Sequence, residues 1–519
     1  MTSKATQHIP DILDCLAQLS NDEVPTPPDL ARAMLDLLPD EVWAQPVYRW
    51  LDPACKSGVF LREAATRLLE GLAGWEPNFA KRRAHVYRKM LWGTSITEMT
   101  GIIGRRTLYC SRDGSGKYSV VKFKHAQGNL PFVAAEHRFR ERPGGSGRRS
   151  CATCGAPEDL ERGEGRENYA YSFIHGAYPT KEMVGMQFDV IVGNPPYQID
   201  DGGHNASATP IYQHFVRAAI RMKPRYIVMI TPSRWFMGGK GLDAYREEML
   251  ADKHLRSIVD YPKLYDCFPG VKIRGGVSYF LWDREYHGPC SIQMMWEGKP
   301  VGPPVTRNLD DYDVLVRRNE AISILEKVRV YRTKGTREAT LDKRVSSNKP
   351  FGLRTFFVGS ETLDGMEEPV RLYGNQRTSW IERSAIPQNA EWVDSWKVLM
   401  SRVQGTSAAV ETQFLGRPLI AAPGEACTET YVVAGRFKTK RDAERYAAYL
   451  RTRLVRFLVS LRKATQDAPR GVYGFIPDLP MDRTWTDHAL YERYGLTDEE
   501  VAFIESQVNE MPTTLDLAS

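Results

Sequence analysis

The segment Asp189-Val190-Ile191-Val192-Gly193-Asn194-Pro195-Pro196-Tyr197 holds the residues best suited to chemistry. An apolar strand of this kind delivers the chain to the carboxyl edge of a sheet, where open α/β folds bind ligands. Two successive prolines then fix the backbone and remove two N–H donors. Carbonyl oxygens are left free beside the Asn194 amide and the Tyr197 ring. Such a set accepts hydrogen bonds from an exocyclic amino group and offers a face on which a planar base stacks. A proline-rich turn alone would not call for the unbroken apolar run directly before it.

A second segment, Leu51-Asp52-Pro53-Ala54-Cys55-Lys56-Ser57-Gly58-Val59-Phe60, reads as a strand ending in an acid and a tight turn before a helix. That arrangement lets main chain approach a ligand at a helix N-terminus. Lys56-Ser57 lacks the preceding glycines of a phosphate loop, and no G-x-G-x-x-G occurs, so nicotinamide chemistry is disfavoured. A third signal is Cys151-x-x-Cys154, two thiols with the spacing of half a zinc knuckle. With Cys110 and either His137 or His125 they could form a tetrahedral Cys3His site of structural type, His137 being nearer to the pair. A redox role fits less well, because Gly-Ala-Pro follows the pair where a redox motif would begin a helix.

To hold these segments, the first half of the chain alternates strand and helix. YRWLDPAC, MLWGTSI, FDVIVG, PRYIVMITP, LRSIVDY and GGVSYFLWDR read as strands, with helices over 27–38 and over VFLREAATRLLEGL, PIYQHFVRAAIRM and GLDAYREEMLAD. Unbroken apolar strands between helices predict a doubly wound, Rossmann-like, largely parallel α/β sheet. An insertion of about 80 residues, 105–185, far exceeds an ordinary connection. Its residues 105–149 carry eleven Lys/Arg against three acids, a local +8 that exceeds the +6 of the whole chain. Such a run is either a solvated loop or a phosphate-facing surface. Prolines near residue 300 mark a boundary between domains 1–300 and 301–519. The latter mixes short strands and helices into an α+β unit, and RDAERYAAYLRTRLVRFLVSLR reads as one long helix.

At 519 residues, 42% hydrophobic and 26% charged, the chain suits two or more globular domains and excludes disordered, collagen-like and coiled-coil classes. No apolar run reaches the roughly 18 residues of a membrane span, and the N-terminus lacks the apolar core of a signal peptide, so a cytoplasmic location is expected. Eight cysteines are too sparse for a disulfide framework.

The Asn-Pro-Pro-Tyr segment is similar to the catalytic motif of S-adenosylmethionine-dependent amino-methyltransferases. The chain resembles the adenine-N6 DNA methyltransferases of restriction-modification systems, in the class whose cofactor motif precedes the catalytic one and whose target-recognition domain follows. The motifs carrying the resemblance cover roughly residues 22–285. The segment from Asp52 resembles the family's Asp-Pro-Ala-Cys-Gly-Ser-Gly-x-Phe, with Lys56 in place of the first glycine. The resemblance implies cofactor contacts at Asp52, Pro53, Ala54, Gly58 and Phe60. It also implies contacts at Thr26-Pro27, whose motif closes over the methionine end, at Glu98 for the ribose hydroxyls, and at Asn129 for the adenine. It makes Asn194, Pro195, Pro196 and Tyr197 the catalytic set.

In that reading the Asn194 side-chain oxygen and the Pro195 carbonyl accept from the adenine amino group while a methyl group is transferred directly. The target base is flipped out of the duplex and stacks on Tyr197. Transfer to an amino nitrogen needs no histidine base, so His175 and His204 read as structural or surface groups. Base reading is expected after residue 300, where Arg354, Asn375, Gln376, Arg377, Arg402 and Gln404 are candidates. Double-stranded DNA is the expected partner, with a restriction or helicase subunit a further one, and no membrane. Rival readings are an RNA or protein methyltransferase, a non-catalytic DNA-binding module, and a bifunctional restriction-modification enzyme. The last would draw a nuclease half-site from Asp283 and Glu297-Gly298-Lys299.

Overall fold

The computed structural model describes residues 25–141, 149–158, 171–176, 185–199, 209–263, 265–268, 273, 275–330, 339–403, 414–463 and 466–511. His204, Gln404 and most of the Gly/Arg-rich stretch ERPGGSGRRS lie outside them. The chain forms two compact units, Met1–Leu315 and Val316–Ser519.

The first unit is built on strands β1 (Trp50–Cys55), β2 (Leu91–Ser95), β5 (Val190–Gly193), β8 (Tyr226–Pro232), β9 (Leu255–Tyr261), β10 (Val277–Asp283) and β11 (Cys290–Trp296). Two short strands, β12 (Lys299–Pro300) and β13 (Val305–Arg307), pair with β11. The proline-bearing stretch near residue 300 therefore lies among strands of this unit. The order β12-β11-β9-β10-β8-β5-β1-β2 gives a doubly wound sheet, as the alternation of elements implied. Strand β10 runs antiparallel between β8 and β9, while β8, β5, β1 and β2 are parallel.

Every residue of β1, β5, β8 and β10 is buried, the signature of strands covered on both faces. One face carries helices α1 (Pro28–Leu35) and α2 (Val59–Gly71), whose Leu30, Met34, Phe60, Ala64 and Leu68 enter the core. The other carries α6 (Tyr212–Arg221) and α7 (Asp243–Ala251), with Phe215, Val216, Tyr245 and Met249. Helix α3 (Phe79–His85) precedes β2, and α4 (Glu98–Tyr109) follows it. A capping box between Thr97 and Thr100 starts α4.

The insertion follows α4, and its described part contains the hairpin β3 (Phe139–Glu141)–β4 (Arg149–Cys151) and the short helix α5 (Ser172–His175). Its described basic residues are not all on one face. Arg105 belongs to α4, is buried, and donates to the carbonyls of Arg112 at 2.8 Å and Leu130 at 3.1 Å. Lys122 and Lys124 instead line a cavity of about 950 Å³ with Arg49, Arg88 and Lys89, at the amino edges of β1 and β2.

The second unit is α+β. Its two three-stranded sheets are β15-β14-β18 and β17-β16-β19, where β14 is Pro369–Tyr373, β15 Thr378–Glu382, β16 Trp396–Ser401, β17 Leu419–Ala421, β18 Glu425–Cys427 and β19 Tyr431–Phe437. Its helices are α8 (Ala321–Val330), α9 (Lys440–Arg451), α10 (Arg453–Ser460), α11 (Asp487–Tyr494) and α12 (Asp498–Gln507). The single long helix expected over 441–462 is two helices. Thr452 adopts φ −59°, ψ 149° between them, its side chain accepting from the Val455 amide. A threonine that caps a helix competes with continuing one.

Candidate functional site

Strand β1 pairs in parallel with β5, Trp50 with Val190 and Leu51 with Ile191, so the Asp52 and Asn194 segments leave the carboxyl edge side by side. Gly193 makes the approach possible: a Cβ there would stand 3.0 Å from Asp52 Oδ1. Gly58, with φ +76°, turns the chain into α2, and a Cβ on it would meet the Gly104 carbonyl at 2.9 Å. Lys56 has no positive φ, so replacing glycine there costs no backbone strain.

Asn194 is buried, and its Nδ2 donates to Thr26 Oγ1 at 3.1 Å across 168 residues of sequence. Its Oδ1 is buried with no hydrogen-bond partner. Thr26 thus fixes which end of the amide is presented. The Tyr197 hydroxyl likewise has no partner, and its ring meets Phe268 edge-on at 6.4 Å. Behind it, the Ile211 amide donates to the Tyr197 carbonyl at 3.1 Å, and β6 (Gln198–Ile199) pairs with β7 (Thr209–Pro210) just before α6.

Asp52 accepts from the Ala54 amide at 3.1 Å. Burial pushes its carboxyl up to about 7, only partly opposed by that amide and by the charge of Lys56. The Pro53 carbonyl accepts from Thr94 Oγ1 at 2.7 Å, tying β1 to β2. Phe60 packs into the core beneath, and Glu98 is exposed at the first turn of α4. Sequence reasoning passed over Ser95, the last residue of β2, whose buried Oγ has no partner. The signal available was its place at the carboxyl end of the MLWGTSI strand. An acid shifted by burial, an unpartnered hydroxyl and a glycine-lined turn at a helix start fit a ligand carrying both an ammonium and ribose hydroxyls.

Asn129 is a correction. Its two Nδ2 hydrogens are shared among the carbonyls of Tyr87, Arg88 and Leu91 at 3.2, 3.1 and 3.0 Å, which holds the side chain at the amino end of β2. Main chain beside the carboxyl end of β2 comes instead from Pro131, whose carbonyl accepts from Ser95, and from Phe132. Cys110 is a second correction. It caps α4 in a left-handed conformation (φ 59°), exposed, and does not join the sulfur cluster. His137, Cys151 and Cys154 do come together, and their companion is His175, not Cys110. The nuclease half-site also fails. Asp283 is held by Arg225 at 3.2 Å and Arg256 at 3.3 Å, whereas Glu297 pairs with Lys263 at 2.5 Å. Register puts Asp283 beside the start of β9 and Glu297 beyond its end, on the order of 30 Å apart.

In the second unit Asn375, Gln376 and Arg377 form the exposed tip of the β14–β15 hairpin, Gln376 with φ +57°. Arg354 lies 3.8 Å from Glu429 and Arg402 lies 3.9 Å from Asp467.

Residues 89–268 match the Eco57I restriction-modification methylase family. An adenine-specific methylase of Mycoplasma pneumoniae (strain ATCC 29342 / M129 / Subtype 1) is 33% identical over 343 residues, covering 61% of this chain and 80% of the relative. Among solved structures, a modification subunit of a putative type I restriction enzyme from Vibrio vulnificus YJ016 matches at 16% identity and TM-score 0.33, over 55% of this chain and 49% of that one. A DrdV–DNA complex matches at 13% identity and TM-score 0.47, over 94% and 57%. The chain spans about half the length of the type I restriction-modification chains it matches. Among the described residues no helix is long and apolar enough to cross a membrane.

Proposed function

Since the chain belongs to the restriction-modification family of adenine-specific methylases, we propose that it methylates the N6 amino group of a flipped-out adenine in double-stranded DNA. The observation that carries the reading is the corner where Asn194, oriented by Thr26, presents an unpartnered buried oxygen beside Asp52.

Methylases of this family take the methyl group from S-adenosylmethionine, which when bound supplies an electrophilic methyl. Asp52, Gly58 and Ser95 would hold it, with Thr26-Pro27 and Glu98 at the rim and Pro53, Ala54 and Phe60 supporting the turn. The adenine N6 lone pair is delocalised into the ring and is a poor nucleophile. Asn194 Oδ1 accepts one amino hydrogen and the Pro195 carbonyl the other, which concentrates electron density on nitrogen as transfer proceeds. Because both acceptors are already oriented, little reorganisation is needed at the moment of reaction. Pro196 stiffens the corner, and Tyr197 stacks on the extruded base to offset part of the unstacking cost. The lost amino proton leaves to solvent, with no enzyme base required.

The second unit, in this reading, recognises the target sequence. A separate restriction or translocase subunit is a further partner, and the setting is cytoplasmic. We also read the insertion as ordered by a structural zinc ion bound through its Cys-x-x-Cys pair.

Transfer of labelled methyl groups to duplex DNA, compared with RNA and protein substrates, tests the proposal when combined with mapping of the modified base. N6-methyladenine in one sequence context is the expected product. Label only in RNA or protein, or none in adenine, would overturn it.

A further inference from the structure

Resting on the zinc reading of the insertion, we propose that His137, Cys151, Cys154 and His175 form a closed Cys2His2 site that fastens the β3–β4 hairpin to α5. One ligand atom from each of these four residues lies within 4.8 Å of all the others. Four thiolate and imidazole ligands around zinc, at about 2.3 Å for sulfur and 2.0 Å for nitrogen, leave edges of roughly 3.3–3.8 Å. The pair Cys154 Sγ and His137 Nδ1 already stands at 3.4 Å. The remaining contraction is about 1 Å, within reach of side-chain rotation.

The surrounding main chain is shaped for the same purpose. After β4 the chain turns tightly, with the Thr153 amide directed at Cys151 Sγ at 3.4 Å and Gly155 at φ +76°. Amides aimed at sulfur favour the thiolate form that metals bind. His175 ends α5, and its Nε2 is buried with no hydrogen-bond partner. Its ring stands edge-on to that of His137, with centroids 5.3 Å apart. In the sequence His175 reads only as a structural or surface group, 21 positions after Cys154. Two thiolates and two imidazoles in a compact cluster select zinc over magnesium or calcium, and four protein ligands leave no open position for catalysis.

The site has a mechanical consequence. Tyr171 and Phe173 of the α5 segment pack on Phe215 of α6 at ring distances of 5.5 and 5.9 Å. Helix α6 begins at Tyr212, one residue after Ile211 grips the Tyr197 carbonyl. The ion therefore supports the base-stacking side of the catalytic corner from outside it. The hairpin exposes Arg140 and Glu141, while Cys151, Cys154 and Ala156 are buried with Phe139 packed against them, so the ion sits where the hairpin meets the core.

Elemental analysis of the full chain purified from zinc-replete cells should find about one zinc ion per molecule. X-ray absorption of that protein should show two sulfur and two nitrogen neighbours. His175→Asn and Cys151→Ser should each lower zinc content at least about fivefold, while Cys110→Ser retains it. Absence of bound metal in the unmodified chain would overturn the zinc reading of the insertion together with the site. Zinc kept by His175→Asn but lost with Cys110→Ser, or a three-sulfur absorption spectrum, would overturn this ligand set alone. The spectrum needs no variant, so a misfolded mutant does not block the test.

Discussion

Asn194 is useful because of the atom left over once Thr26 has taken the other. Replacing Asn194 by Ala removes an acceptor made for the transition state, and methyl transfer should fall by about 10²–10³-fold or more. Cofactor affinity, followed by calorimetry, should stay within a few fold. Loss of both together would make Asn194 a structural residue. Thr26→Val should cost less, because the amide keeps its place and loses only its orientation. Asp52 gives a pH signature. Its folded-state value is raised from 3.8 to about 7, so the folded chain holds this proton more tightly than the unfolded one does. That contribution to stability is complete below about pH 4 and is lost as pH rises through about 7. The ligand-free protein should therefore lose thermal stability between about pH 4 and pH 7 through this group and level off above that, and Asp52→Asn should flatten the profile. Identical pH profiles for the two proteins would count against the buried, proton-binding carboxyl.

Among the elements, β1 and β5 do the positioning, and their spacing is set by a residue without a side chain. Gly193→Ala places a methyl group against Asp52 Oδ1, with Pro53 Cδ 3.5 Å away, and neither can retreat into the packed sheet. The expected cost is about 1–3 kcal/mol of stability, measured by denaturant unfolding, with a larger loss in cofactor affinity. Unchanged affinity would mean that the two strand ends move independently. In the second unit Lys397 shows the opposite use of burial. Its ammonium donates to the carbonyls of Trp392, Val393, Ser395 and Ala422, and burial lowers it to about 8. Those bonds knit the turn before β16 to the end of β17, so Lys397 belongs to the framework and not to DNA contact.

On the scale of the whole molecule, the proposed function gives the chemistry to the first unit and the reading of sequence to the second. The β14–β15 tip presents an amide pair and a guanidinium, the groups that read adenine and guanine edges in the major groove. Arg377→Ala should weaken discrimination between target and non-target duplex by about 1–3 kcal/mol while leaving cofactor affinity unchanged. Competition binding with the two duplexes decides the matter: equal weakening on both would make Arg377 a phosphate contact only. Lys122 and Lys124 line a cavity at the amino edge of the sheet, whereas Asn194 stands at the carboxyl edge.

Much of this was written in local sequence. Asp189 to Tyr197 announces a buried strand ending in a rigid, acceptor-rich corner, because apolar runs and paired prolines restrict the chain wherever they occur. The turn after Asp52 is legible for the same reason, as is the pairing potential of Cys151 and Cys154. Partnership across long separations was not legible. That Thr26 orients Asn194, that Gly193 exists for Asp52, that Asn129 is spent on three carbonyls, and that His175 displaces Cys110 all depend on which strand ends and helix ends the fold brings together. Residue type limits what a side chain can do, but the unmet hydrogen-bonding capacity left after packing decides what it does, and packing is a property of the assembled sheet.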